Sequence, residues 1–459
     1  MNRELTKHCP TLLRLGLPIM VGQLGSIVMG LTDTLMIGRH STQELAAASF
    51  ANNIVGLVII SAIGFSYGLT PVVGALLGEG KTELIGGKLK NALAANGLMG
   101  LLMMGLTGLL WLCLDHIGLP DEIVPLVRPY MLILILSILP QMFFNAYKQF
   151  SDGIQDTRTP MWLLLAGNGL NIVGNAVLIF GLFGAPELGL VGAGLATLAS
   201  RLFLWGATAL VFRTAGRYRM HRRYFTTARV HRSDLMQLSR MGIPVMLQLG
   251  MESASFALSA FYVGWLGTAS LAAHNIMNTV GQLCFMLYYG MAAAVAVQVS
   301  FYRGAGNLPE TKRVAQAGLY LTWVMALVIT VPIVLFRAHI GPIFTDSGGV
   351  ATLVATVVPV FAVYQLGDAL QCIYGNALRG MADVKPLIPM AFIAYFLISL
   401  PLGYLFGFVC GWGFVGVWAA FPFGLTSAGL MYWRRFNGKL VNSKFKMNKF
   451  KKTHPQPLP

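Results

Sequence analysis

Apolar stretches of about 20 residues or more recur along this chain from Leu12 to Trp433. A stretch of this length crosses a bilayer as a helix, because a helix bonds its backbone polar groups within itself. Charged residues make up only 11% of the 459 residues, and the mean hydropathy is +0.66. The sequence therefore predicts an all-α integral membrane protein.

Twelve transmembrane helices are predicted. Their approximate ranges are 12–37, 45–77, 88–114, 124–149, 160–184, 190–213, 236–266, 270–301, 313–340, 350–378, 386–410 and 412–434. The first range contains Asp33 and lacks a clear small-residue cleavage site, so we interpret it as a helix and not as a secretory signal. The five cysteines are scattered and mostly apolar in context, which indicates core residues without a disulfide framework or metal spacing.

The basic residues are distributed unevenly between the two ends of these helices. Of the 33 Lys and Arg, 29 fall on the side that holds both termini. Arg39, Arg128 and Arg337 fall on the other side, and Arg201 lies within a predicted helix. The positive-inside rule then places both termini in the cytoplasm.

The same bias accounts for the basic segment 213–232 and the basic C-terminal tail. Both are typical of topogenic cytoplasmic segments, and we interpret the tail as disordered. We assign neither segment a specific nucleic-acid or lipid partner.

The chain contains an internal repeat, because residues 14–80 align with 240–306 at a constant shift of 226 without a gap. Identical residues include Gly16 and Pro18, which align with Gly242 and Pro244. Near a shift of 227, Gly153 and Asp156 align with Gly380 and Asp383.

A repeat of six helices is parallel, with its pseudo-two-fold axis along the membrane normal, so the two halves are expected to form a central cavity. We predict an N-terminal lobe over 1–212 and a basic cytoplasmic connector over 213–235. A C-terminal lobe over 236–434 and a basic cytoplasmic tail over 435–459 follow.

Three acids, Asp33, Glu252 and Asp368, lie inside predicted helices. An ionisable group at this depth costs at least ~2.5 kcal/mol, so each is interpreted as a place where a cation or proton binds. At the repeat shift, Glu252 aligns with Ser26 and Asp33 with Ser259. Neither half duplicates the acid of the other, which predicts different ion sites in the two lobes.

Several segments carry a family resemblance: GLTDTLMIG, FSDGIQDTRTPM, NGLNIVGNAVLIFGLFGAPELGLVGAGLAT, GIPVMLQLGMESASF, AAHNIMN and VYQLGDALQCIYGNALRGMADVKP. Together they resemble the multidrug and toxic compound extrusion (MATE) family, and within it the bacterial NorM branch. The resemblance implies a cation-coupled antiporter with two six-helix lobes in a V shape. Such a protein exports amphipathic, usually cationic organic compounds against Na+ or H+ entry and has no cofactor besides that ion.

The resemblance places a cation site of the C-terminal lobe at Glu252, Tyr364 and Asp368. Two carboxylates, the Tyr364 hydroxyl and freed carbonyls offer the oxygen ligands of Na+. Alternatively, two nearby buried carboxylates share a proton, and the sequence leaves both ions open. Gly367 departs from the pattern, because relatives tend to carry a hydroxyl residue there.

In the N-terminal lobe the resemblance places a polar site at Asp33, Asn171 and Asn175. The two asparagines are spaced i,i+4 and share a helix face. Arg201 is interpreted either as the counter-ion of an intramembrane acid or as a residue facing a watery cavity.

Two further candidates for the substrate or proton site lie in AAHNIMN. His274 is interpreted either as a structural histidine or as a proton relay, and Asn278 follows it at i+4 on the same helix face.

Two other function classes fit the sequence less well. A lipid-linked oligosaccharide flippase would share the architecture, but its diphosphate needs a cationic cavity, and the predicted interior has three acids against Arg201. An intramembrane enzyme would need a catalytic set that the sequence does not offer. No G-x-x-x-x-G-K-[ST] motif for ATP is present.

The expected partners are therefore small organic cations and drugs, together with membrane lipids, and no nucleic acid. We expect a protein that functions as a monomer in a plasma membrane, most naturally a bacterial inner membrane.

Overall fold

The structure, a computed structural model, describes residues 6–116, 120 and 122–453, with side chains as far as residue 442. Nearly all of these residues lie in helices, and none of them lies in a β-strand. The prediction of an all-α fold is confirmed.

Twelve long helices follow one another along the described chain. They are α1 Cys9–His40, α2 Thr42–Gly78, α3 Thr82–Leu112, α4 Val124–Gly153, α5 Arg158–Phe180, α6 Gly189–Thr214, α7 Arg232–Trp265, α8 Thr268–Gly304, α9 Leu308–Leu335, α10 Gly348–Gly380, α11 Leu387–Val409 and α12 Gly413–Thr453. Each overlaps one predicted helix. All except α7 are long and apolar enough to cross a membrane by length and composition.

The exception, α7, is long but carries a row of buried polar side chains. These are Gln248, Glu252, Ser255 and Ser259, each less than 9% exposed. Their spacing of i, i+4, i+7 and i+11 puts them on one helix face. A helix of this kind hides its polar groups inside the protein, so its mean hydropathy understates how well it suits a membrane.

Two compact units are present. The N-unit is Pro18–Gly250, and the C-unit comprises the described residues of Met1–Leu17 and Met251–Pro459. Both divisions fall inside helices, after Leu17 in α1 and after Gly250 in α7, so neither unit is a run of six complete helices. The predicted lobe ranges stay a prediction.

Helix ends follow local sequence chemistry. The Asn307 side chain accepts a hydrogen bond from the backbone N–H of Glu310 at 3.2 Å and so caps the start of α9. Gly181, with φ +66°, ends α5 in the left-handed conformation. The predicted fifth helix, 160–184, therefore stops earlier, at Phe180.

The segments outside the membrane helices are more ordered than predicted. The connector contains a short helix, Arg219–Thr227, and α12 continues to Thr453. The prediction of a disordered tail is wrong for 435–453, because this stretch has no proline and is rich in good helix formers. Residues 1–5 of the predicted N-terminal lobe and 454–459 of the predicted tail lie outside the described residues.

The aligned acids of the repeat, Asp156 and Asp383, each bond to residues of the sixth helix of their half or of the segment directly after it. Asp156 accepts hydrogen bonds from Arg217 at 3.0 Å and from the Tyr218 hydroxyl at 2.7 Å, just beyond α6. Asp383 accepts from Arg435 at 2.7 Å, in α12. The repeat thus preserves an anchoring function with different partners.

Helix α11 is not a regular α-helix. Residues Ile393–Ser399 and Leu405–Val409 form π-helical turns on either side of the α-helical stretch Leu400–Tyr404. Such turns are rare and occur frequently at functional sites. Tyr395, which belongs to the site described below, lies in the first of them.

Candidate functional site

The C-unit gathers the three residues predicted for its cation site. Glu252 on α7 and Tyr364 and Asp368 on α10 are 8%, 7% and 1% exposed. Each carboxylate interacts electrostatically with the other and with the Tyr364 hydroxyl. The structure therefore brings these three side chains together in one buried cluster.

Gln371 connects this cluster across three helices. Its side-chain amide donates a hydrogen bond to Glu252 Oε2 at 3.2 Å and one to the Tyr395 hydroxyl at 2.8 Å. The Gln371 carbonyl oxygen accepts from the Cys372 thiol at 3.4 Å. Gln371 thereby links α7, α10 and α11 around the Glu252 carboxylate.

Asp368 is less completely satisfied. Its Oδ1 has the Cys372 thiol at 3.6 Å, whereas its Oδ2 is buried without a hydrogen-bond partner among the described residues. A buried carboxylate oxygen with no partner is costly, and a bound proton or cation removes that cost. This oxygen is thus the atom of the cluster best suited to accept a proton or a cation.

A buried arginine lies near the acids. Arg379 is 4% exposed, interacts electrostatically with Glu252, and donates hydrogen bonds to Asn376 and to the Tyr289 hydroxyl at 3.3 and 3.2 Å. The prediction of Arg201 as the sole interior arginine is therefore wrong. Arg379 falls in the last turn of α10, which is why the sequence placed it in a cytoplasmic connection.

The charges of this cluster do not balance. Glu252 and Asp368 carry one negative charge each when ionised, and Arg379 carries one positive charge. One negative charge is in excess, so a single monovalent cation makes the buried cluster neutral. Among the described residues no group of three or more His, Cys, Asp or Glu suits a metal ion. A Na+ here would depend on hydroxyl, amide and carbonyl oxygens as well.

Aromatic rings form one wall of the cluster. Tyr364 stacks on Phe361 with ring centroids 5.6 Å apart, and Trp418 lies 6.3 Å from both. His274 packs edge-on against Trp418 at 5.5 Å, and its Nε2 lies 2.9 Å from the Asn278 amide. His274 thus contacts the wall of the cluster through the Trp418 indole ring, and Asn278 contacts His274.

The His274 ring is fully buried, and its Nδ1 has no hydrogen-bond partner among the described residues. The Asn278 contact suits a structural histidine, and the free ring nitrogen is what a proton relay would need. Both interpretations of His274 remain.

Gly367 lies against α12. A Cβ at this position would be 2.6 Å from Thr426 Oγ1 and 3.2 Å from the Thr426 backbone nitrogen. The hydroxyl expected at position 367 is absent, but a hydroxyl from Thr426 occupies the neighbouring space.

The N-unit gathers its own predicted polar residues. The Asn175 side chain donates a hydrogen bond to Asp33 and another, at 3.3 Å, to Asn171. Asn171 in turn donates to the Thr197 hydroxyl at 3.3 Å. Both asparagines are fully buried, whereas Asp33 is half-buried.

Arg201 completes this second cluster. It donates a hydrogen bond to Ser137 Oγ at 2.6 Å and interacts electrostatically with Asp33 and Tyr130. This electrostatic interaction favours the interpretation of Arg201 as the counter-ion of Asp33. One acid and one base are balanced here, in contrast to the C-unit.

Close packing holds α1 at this position. A Cβ at Gly25 would lie 3.0 Å from both Asn168 Nδ2 and Leu165, whereas a Cβ at Gly30 would meet nothing within 4 Å. Helix α1 is therefore tightly packed at Gly25, whereas there is free space beside it at Gly30, in the turn that precedes Asp33.

Sequence reasoning missed Gln371, Cys372, Tyr395 and Arg379. A signal existed for Gln371, since Tyr364, Asp368 and Gln371 follow at i, i+4 and i+7 on one face of α10. No comparable signal marks Tyr395, which reaches the cluster from another helix through a π-helical turn.

Comparison with known families and structures agrees with this architecture. A family model described as MatE matches residues 18–177 and 244–405, which together are more than two thirds of the chain. The two matched segments correspond to the two halves of the sequence repeat.

Solved structures of transporters share the fold. A MOP superfamily transporter from Pyrococcus furiosus is 18% identical, with 95% of this chain and 96% of that chain covered and a TM-score of 0.85. The MATE transporter VcmN from Vibrio cholerae, in a bent form, is 18% identical, with 97% and 99% covered and a TM-score of 0.85. The eukaryotic MATE transporter AtDTX14 is 17% identical, with 96% and 99% covered and a TM-score of 0.85. At identities of 17–18%, the likeness to these structures shows a shared fold only.

Proposed function

Because the chain belongs to the MatE family of membrane transporters, we propose that it is a cation-coupled multidrug efflux antiporter. It exports amphipathic or cationic organic compounds by alternating access, driven by the entry of Na+ or H+. A NorM-like transporter of a bacterial inner membrane, with both termini in the cytoplasm and active as a monomer, fits the sequence best.

The observation that carries this proposal is the unbalanced charge of the C-unit cluster. Glu252 and Asp368 are buried beside a single arginine, Arg379, and one Asp368 oxygen has no hydrogen-bond partner among the described residues. Such a cluster needs one monovalent cation to be neutral. A site that must bind a cation and can release it is the central requirement of a cation-coupled transporter.

Two ions meet this requirement. A proton on Asp368 neutralises the cluster with no further ligand. Na+ needs several oxygens, which the two carboxylates, the Tyr364 hydroxyl and the Gln371 carbonyl can offer. The chemistry of the cluster supports a monovalent cation of either kind.

Ion binding and drug binding act on the same conformational equilibrium. An ion that binds one state more tightly shifts the population toward that state, and a drug that binds the other state shifts it back. Ion binding at Glu252 and Asp368 favours the return from the outward-open to the inward-open state. Drug binding with ion release favours export.

In the N-unit, Asp33 is assigned the role of a switch. Its charge is balanced by Arg201, and its hydrogen bond to Asn175 fixes one arrangement of α1 and α5. Protonation of Asp33 removes that balance and favours a different arrangement of α1.

Efflux from proteoliposomes under separately imposed gradients tests the proposal. Purified protein is reconstituted, and export of a fluorescent organic cation is followed with a Na+ gradient alone and then with a pH gradient alone. We expect one of the two gradients to drive accumulation against the drug gradient. Transport that responds to neither gradient, while passive exchange of the drug persists, would refute cation coupling.

A further inference from the structure

The connector between α6 and α7 is a folded element of the N-unit. The Tyr218 hydroxyl bonds Asp156 at 2.7 Å, and the Phe225 ring packs edge-on against Phe212 at 5.4 Å. A Cβ at Gly86 of α3 would lie 2.1 Å from the His221 carbonyl oxygen. The short helix Arg219–Thr227 is therefore seated directly on the backbone of α3.

This helix has two different faces. Its inner face carries Tyr218 and His221, which are 2% and 8% exposed, and the half-buried Phe225. Its outer face consists of exposed side chains only. These are Arg219, Met220, Arg223, Tyr224, Thr226 and Thr227.

The outer face is itself divided into two rows. Arg219 and Arg223 are spaced i,i+4 and form a basic row, and Met220 and Tyr224 form a second row beside it with the same spacing. Met220 is 55% exposed and Tyr224 is 37% exposed. A basic row alongside an apolar and aromatic row is the pattern of a helix that lies in the interface of a membrane.

The surrounding charge has one sign. Residues 213–232 contain seven arginines and no Asp or Glu. Among the described residues only one of these arginines, Arg217, has an ion-pair partner, Asp156. The helix also begins five residues after the end of the apolar helix α6, so it lies next to the membrane boundary. An exposed, uncompensated basic surface at this boundary attracts anionic headgroups.

We propose that the outer face of Arg219–Thr227 binds the phosphodiester headgroups of anionic phospholipids. Arg219 and Arg223 bind the phosphate oxygens, for which the planar guanidinium provides paired N–H donors. Met220 and Tyr224 insert between the headgroups. Nucleic acid or free phosphate would gain nothing from contact with Met220. The exposed apolar row therefore distinguishes this surface from a binding site for either of them. The inference is independent of the coupling ion and of the transported compound.

Native mass spectrometry of the full-length protein in detergent, with equal amounts of dioleoylphosphatidylglycerol and dioleoylphosphatidylcholine, tests it. Wild-type protein is expected to retain the phosphatidylglycerol in preference. R219Q/R223Q should lose most of this preference, because each arginine near an anionic surface contributes about fivefold to binding. M220S/Y224S should weaken retention of both lipids.

The matched control K312Q/R434Q removes two exposed positive charges from the C-unit and should retain phosphatidylglycerol as the wild type does. Thermal melting of each variant verifies folding. Wild-type retention by R219Q/R223Q would overturn the proposal, as would an equal loss in the control. Displacement of phosphatidylglycerol by excess inorganic phosphate, with no effect of M220S/Y224S, would also overturn it, because the ligand would then be free phosphate.

Discussion

Gln371 donates its side-chain amide to the carboxylate of Glu252 across 3.2 Å, from one helix to another. The same amide group bonds the Tyr395 hydroxyl, and the Gln371 carbonyl faces the Cys372 thiol. Both N–H donors and one of the two acceptor positions of the Gln371 amide are therefore in use. In the proposed mechanism, Gln371 is a positioning residue that holds the Glu252 carboxylate in place for the ion.

Replacement of Gln371 by Leu should change ion binding more than drug binding. For Na+, the affinity should fall, because the Gln371 carbonyl oxygen and the bond that positions Glu252 are both lost. For H+, the affinity should rise about tenfold or more, because the ionised carboxylate loses a hydrogen bond worth about 1.5–3 kcal/mol. Tyr395→Phe, which removes only the second partner of Gln371, should have a smaller effect. The measurement is the ion concentration that half-saturates efflux, together with equilibrium binding of a fluorescent drug. Changes of equal size in ion and drug affinity in Gln371→Leu would contradict a positioning role.

Neutralising either acid of the C-unit should abolish gradient-driven efflux. Glu252→Gln and Asp368→Asn each remove the excess negative charge, so the cluster is neutral beside Arg379 without any cation. Both variants should remain folded in the membrane, because the substituted side chains keep their volume. Asp346→Asn, at an exposed acid of the same unit, is the control and should transport normally. Wild-type drug resistance conferred by either acid variant would count against the site.

Asp33→Asn should impair turnover more than equilibrium drug binding. The substitution removes the charge that balances Arg201, but leaves an amide able to bond Asn175. A switch from almost wholly one state to almost wholly the other needs about 5.5 kcal/mol of differential free energy, which in the proposed mechanism Asp33 supplies either by itself or together with the C-unit cluster. Drug binding and efflux rate are measured on the same preparation. Loss of drug binding in the folded variant would instead make Asp33 a direct ligand of the drug.

Restoring a hydroxyl residue at position 367 should be harmful. In Gly367→Ser the new Cβ would lie 2.6 Å from Thr426 Oγ1, which is too close without a shift of α10 or α12. We expect a lower melting temperature and weaker ion binding. The double variant G367S/T426A removes the clashing oxygen and should recover part of both losses. A single variant as stable as the wild type would show that these helices yield at this point.

Asp383 should contribute to stability in a pH-dependent way. Burial alone would raise the pKa of Asp383. The hydrogen bond from Arg435 and the charges of Lys439 and Arg435 together lower the pKa by more than burial raises it, so the net pKa is below the ordinary value of 3.8. A depressed pKa means that the ionised form stabilises the folded state above pH 3.8, and this contribution disappears as pH falls through the folded pKa.

Asp383→Asn should therefore lower the melting temperature by about 2 °C at neutral pH, since the ion pair is partly exposed. The difference from the wild type should shrink below about pH 4. Thermal melts of both proteins over a pH series measure it. A difference that stays constant down to the lowest pH would show that the carboxylate charge is not responsible.

The sequence predicted the elements of this fold well, because its signals are local. Apolar runs mark each helix within a few residues of chain, and the repeat at a shift of 226 relates the helices of one half to those of the other. The features that the sequence did not predict depend on contacts between two helices. Arg379 was placed outside the membrane by its position at a helix end, and the contact of Tyr395 with Gln371 requires knowing the rotation of α11. The clash at Gly367 likewise involves α12, which no property of α10 alone reveals.

The π-helical turns of α11 affect how this chain must be compared with its relatives. A π-turn accommodates an extra residue within a helix, and one residue corresponds to about 100° of rotation in the α-helix that follows. Tyr395 therefore meets Gln371 in a register that a regular helix of the same sequence would not produce. A sequence alignment with a relative whose eleventh helix is regular needs a gap inside that helix, at Ile393–Ser399. Sequence alignments ordinarily penalise gaps inside helices. Without that gap, the residues of α11 after Ser399 would be matched with residues on a different face of the relative's helix.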